Sequence, residues 1–109
     1  MIVHDGKSIP KFTELWDTGD KEFVWFVWDD FLRGATISTS TWTVPTGWTV
    51  HSQVVSASVT DSNNVVYNNA SSALLSTTAT EGTHIITNRI VLSDNRAYER
   101  SVKIGVKQL

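Results

Sequence analysis

There is no cysteine among the 109 residues. That excludes disulfides, thiolate metal centres and cysteine nucleophiles, and leaves the chain indifferent to redox conditions. Charge is scarce as well: 18% of residues are Asp, Glu, Lys or Arg, and nine bases against 11 acids give a net charge of −2. Such a balance supplies no basic face, so no nucleic-acid partner is expected. No apolar run approaches the ~20 residues of a membrane helix. The longest, Phe23-Val24-Trp25-Phe26-Val27-Trp28, has six and fits a buried strand; no membrane partner is expected. The opening Met1-Ile2-Val3-His4-Asp5-Gly6 lacks the basic stretch and apolar core of a secretion signal, so synthesis in a cytoplasm is expected. Alanine is sparse and strong helix formers never cluster, which excludes a long helix.

What is present favours strands. Fourteen Thr, 12 Ser and 13 Val fill the chain, and β-branched residues suit a pleated surface. Turn residues recur about every 8–15 positions, the spacing of short strands in a sandwich or barrel. Strands are expected over 21–28, 35–44, 48–60, 65–67, 73–78, 83–92 and 97–107. Asp29-Asp30-Phe31-Leu32-Arg33-Gly34 reads as one helical turn, with an acidic cap and a closing glycine. The last two strands form the clearest hairpin, turning at Ser93-Asp94-Asn95-Arg96. Val102, Ile104 and Val106 share one face there, and Ile86, Ile90 and Leu92 face inward opposite them with Asn88 among them. Seven to eight short strands in one small domain match an immunoglobulin-like antiparallel β-sandwich. Residues 1–20 read as an N-terminal arm or edge strand, since Ile9-Pro10-Lys11-Phe12 places proline where a central ladder excludes it. Residues 21–109 form the sandwich itself.

The search for chemistry returns little. His4, His51 and His84 lack a ligand at metal spacing, and His84 reads as a packed or capping residue. Asp61-Ser62-Asn63-Asn64 is a turn rather than a calcium loop, lacking the glycine and downstream glutamate. No nucleophile elbow or phosphate-cradling loop occurs, and Asp29 and Asp30 are adjacent rather than paired across a cleft. No catalytic residue, metal or cofactor is expected. Charge is polarised: residues 1–30 hold seven acids and three bases, whereas 89–109 hold five bases and two acids. The ends either neutralise each other within one domain or steer copies acid face to base face. Five tryptophans are many for one small core. Trp28 and Trp42 are expected inside, with Ile86, Ile90, Val102, Ile104 and Val106. Trp25 stands in opposite phase to Trp28, and Trp16 and Trp48 flank turns. These three, with Phe12 in the N-terminal segment, are candidate interface residues.

Two stretches carry a resemblance. One is Phe23-Val24-Trp25-Phe26-Val27-Trp28-Asp29-Asp30-Phe31-Leu32, followed by Ala35 to Val50 with its Thr41-Trp42-Thr43-Val44-Pro45. The other is Gly82-Thr83-His84-Ile85-Ile86-Thr87-Asn88-Arg89-Ile90, followed by Glu99-Arg100-Ser101-Val102. Together they resemble a family of small tailed-bacteriophage structural proteins, the fibre–tail adaptors, across residues 22–50 and 82–107. His84 departs from that pattern at a place where an aromatic residue is expected. The resemblance implies an immunoglobulin-like virion component in or near the tail, without enzymatic role. Its partners would be tail fibre, adaptor or tube proteins, with multiple copies in a ring. A capsid decoration or cement protein, and a carbohydrate-binding adsorption module, are the alternatives that strand plan and aromatic content leave open.

Overall fold

In the computed structural model, residues 2–4, 12–60, 63–79 and 81–107 are described. The strands are β1 (Ile2–His4), β2 (Phe12–Asp17), β3 (Lys21–Val27), β4 (Ile37–Thr43), β5 (Trp48–Thr60), β6 (Val66–Thr77), β7 (Gly82–Leu92) and β8 (Ala97–Lys107). A single 3₁₀ turn, Asp29–Phe31, follows β3. The strands form two four-stranded sheets, ordered β1-β3-β6-β5 and β2-β8-β7-β4. The expectation of a purely antiparallel arrangement is corrected. Four pairings are antiparallel, but β1 runs parallel to β3 and β2 parallel to β8. The N-terminal segment contributes a strand to an edge of each sheet, and each lies beside a strand running its own way.

The two sheets share one core because alternate residues on each strand are apolar. Val24 and Phe26 from β3 and Ala73 and Leu75 from β6 meet Ile86, Ile90 and Leu92 from β7 and Val102, Ile104 and Val106 from β8. Each large side chain buried this way contributes about 1.5–3 kcal/mol. β3 is apolar on both faces, so its other face also packs: Val27, Val59 and Ala70 form a second, smaller cluster against Trp25 and Tyr67.

Two local expectations are revised. Residues 65–67 and 73–78 do not form separate strands; β6 is continuous across Asn68 and Asn69. The Asp29 carboxylate accepts from both of their backbone N–H groups, at 3.0 and 2.8 Å, and the Asn69 carbonyl accepts from Trp28 N–H at 2.9 Å. Asp29 therefore holds β6 rather than capping its own turn, which begins after Trp28 without a side-chain cap. The turn is held from its far end instead. Arg96 donates to the Phe31 carbonyl at 3.1 Å and to the Leu32 carbonyl at 2.5 Å. The chain then reverses through Arg33 and Gly34, both at positive φ.

Candidate interaction site

A polar cluster joins the sheets where the core is otherwise apolar. Trp28 Nε1 donates to Asn88 Oδ1 at 3.0 Å and to Ser71 Oγ at 2.9 Å; Ser71 Oγ in turn donates to Asn88 Oδ1 at 2.5 Å. The Asn88 amide donates to Ser40 Oγ at 2.8 Å and to the Thr41 carbonyl at 3.2 Å. Asn88, Ser71 and Trp28 are all buried. Most buried polar groups in folded proteins are paired, and this cluster pairs both ends of one amide. It links β6 and the end of β3 to β4 and β7 without a covalent bond.

The tryptophans do not divide as the sequence reading has them. Trp16 is 1% exposed and Trp48 7%, so their assignment as surface anchors is overturned. The reason is closure of the end of the molecule: their rings pack on each other at 5.2 Å between centroids, and Trp48 also meets His84 at 5.9 Å. A ring flanked by turns is not exposed when two such turns fold over the same end. His84 thus packs its ring as part of that end. Trp28 is fully buried, and Ile86, Ile90, Val102, Ile104 and Val106 line the core. Trp42 is only partly buried, packing against Phe26 at 5.6 Å. Trp25 is half-buried on the outer face of the first sheet, with Phe23 at 6.4 Å. The side chain of Phe12 lies outside the described residues, as do positions 9–11 of the proposed edge strand. β2 itself, over Phe12–Asp17, pairs with β8 at the edge of its sheet.

The large hydrophobic residues left on the surface of the described residues are mostly aliphatic. Phe23, Val54, Val55, Val65, Val66 and Ile85 are exposed. An open cleft of about 390 Å³ is lined by Thr43, Val44, Pro45, Thr83, His84, Ile85 and Thr87. His84 is its one titratable residue. Among the described residues, no three of His, Asp and Glu stand together as a metal site. One ion pair closes the last turn: Arg96 Nε lies 2.7 Å from Asp94 Oδ2. That hydrogen bond holds the Asp94 carboxyl below its ordinary range and raises the Arg96 guanidinium.

The polarised ends meet at one acid–base position of the second sheet. Parallel pairing of β2 with β8 sets Asp17 opposite Lys107 and Phe12 opposite Lys103, bringing the acidic front beside the basic end. The other flank is different in kind. No Asp, Glu, Lys or Arg occurs from Gly34 to Thr60, and this stretch supplies β4 and β5, which touch each other and end their respective sheets. Periodicity did not single out this flank; the missing signal was a run without charge rather than a motif. Phe31, too, has a role that no local pattern announces. It packs on Trp28 at 5.5 Å and Tyr98 at 5.1 Å, with the Arg100 guanidinium 5.0 Å above its ring. No protein-family model matches this chain, and no curated protein is significantly similar to it.

Proposed function

We propose that this chain is a non-enzymatic structural protein of a tailed-phage particle, an adaptor that joins tail fibres to the tail in several copies around a ring. The observation that carries this reading is where the resembling segments fall. Phe26, Trp28 and Phe31 from the first, Trp42 from its continuation and Asn88 from the second build one connected cluster. In the same region Arg89 lies opposite Glu99, and Arg100 covers Phe31. Segments far apart in sequence, chosen for resemblance alone, thus act as a single packing unit. The fold proposed with it is an immunoglobulin-like sandwich. Support for it comes from strand order: β1-β3-β6-β5 and β4-β7-β8 correspond to the A-B-E-D and C-F-G orders of that plan, with β2 added beside the last strand. The parallel run of β1 along β3 departs from that plan. A built-in tail part needs stable packing and repeated contacts rather than a reactive centre, and repetition multiplies weak contacts.

Quantitative mass spectrometry of purified virions tests the assignment. The expected result is a ring-sized copy number, far below that of the major shell subunit, with deletion of the gene leaving assembled capsids that lack fibres. A copy number close to the shell subunit would make it a decoration protein. Absence from the particle would overturn both virion readings.

A further inference from the structure

We propose that two copies of this chain join edge to edge through β5, antiparallel, about a two-fold axis at Gln53. β5 is the longest strand, with 13 residues, and the last of its sheet, pairing among the described residues only with β6. Its outer side therefore presents a row of backbone donors and acceptors, a template for another strand. Six consecutive residues, His51 to Ser56, are exposed, so both faces of the strand are open there; Val54 is 46% and Val55 39% exposed. Charge, proline and bulges are among the guards of edge strands. β5 and the adjoining edge strand β4 have no charged residue and no proline. β5 does carry register shifts against β6, but Ser52, Gln53 and Val54 pair in unbroken register with Leu74, Ala73 and Ser72. That regular segment is centred on Gln53.

Two features select a second copy as the occupant. A two-fold contact presents a patch to itself, so any net charge on it repels its own image. The uncharged β4–β5 flank meets that requirement, whereas the opposite edge of the second sheet, with Glu14 and Asp17 on β2, does not. Gln53 is also self-complementary, since one amide both donates and accepts. With the axis there, Gln53 faces Gln53 and Ser52 faces Val54. The first sheet then continues through both copies as eight strands. The contact does not rest on the tail-adaptor reading: virion composition decides that one and self-association decides this one, so each fails separately.

Light scattering coupled to size exclusion, run on the full chain over a concentration series, tests it with Gln53→Lys, Gln53→Glu and their equimolar mixture. Gln53 is exposed, so both variants should keep the parent's β-sheet circular-dichroism spectrum below the melting transition. The parent should be a dimer. Each variant alone should dissociate at least about tenfold more readily, because like charges meet at the axis, and the mixture should recover the dimer. A parent that stays monomeric throughout, variants that associate as well as the parent, a mixture that does not recover, or a closed ring larger than two would each overturn the proposal.

Discussion

Asn88 shows how one side chain can do what a covalent link does in other two-sheet domains. Its carbonyl accepts from Trp28 and Ser71 while its amide serves Ser40 and Thr41. Asn88→Ala should destabilise the fold by about 2–4 kcal/mol, combining a small cavity with orphaned buried donors. Ser71→Ala should cost only about 1 kcal/mol, because the Trp28 N–H keeps its bond to Asn88. The double variant should lose less than the sum of the two, and urea unfolding of all four proteins measures the difference. Alternation in β7 predicts that Asn88 points inward. It does not name Trp28, 60 positions away, as the partner. Trp16 and Trp48 expose the same boundary: their neighbouring turns are legible, but which turns cover one another depends on sheet packing that local pattern does not encode.

Elements were legible in proportion to how far local chemistry alone determines them. β8 runs from Ala97 to Lys107, and its hairpin with β7 was readable because alternation and turn residues agree. In the region of β6 the sequence shows strand character only at 65–67 and 73–78, and the carboxylate that holds Asn68 and Asn69 between them comes from Asp29 outside the strand. The β4–β5 connection depends on Gly47, at φ +91°. A Cβ there would lie 3.1–3.2 Å from Ala79, and the Gly47 carbonyl accepts from Thr78 N–H at 2.8 Å. Gly47→Ala should therefore cost about 1–3 kcal/mol through backbone strain and crowding together. Thermal unfolding of this variant beside Gly34→Ala separates the two terms, since Gly34 has positive φ but open space around it.

For the whole molecule, two layers of short strands could be read from composition and turn spacing. The crossing of the N-terminal segment from one sheet to the other could not, because a parallel edge pairing leaves no periodic mark on either partner. That crossing has a mechanical consequence. β2 and β8 run side by side in the same direction, with Phe12 opposite Lys103 and Asp17 opposite Lys107. Tension applied at Phe12 and Lys107 pulls these strands past one another lengthwise, so every bond of the ladder bears load together. Tension applied at Gly82 and Lys107 instead opens β7 from β8 one bond at a time, since Gly82 stands opposite Val106. Single-molecule pulling through the first pair of points should need a several-fold higher rupture force than through the second, because forced unfolding follows the unfolding barrier met along the loaded direction. Equal forces would mean that the β2–β8 ladder bears no load. A domain loaded along β2 and β8 is arranged to resist tension as a tether.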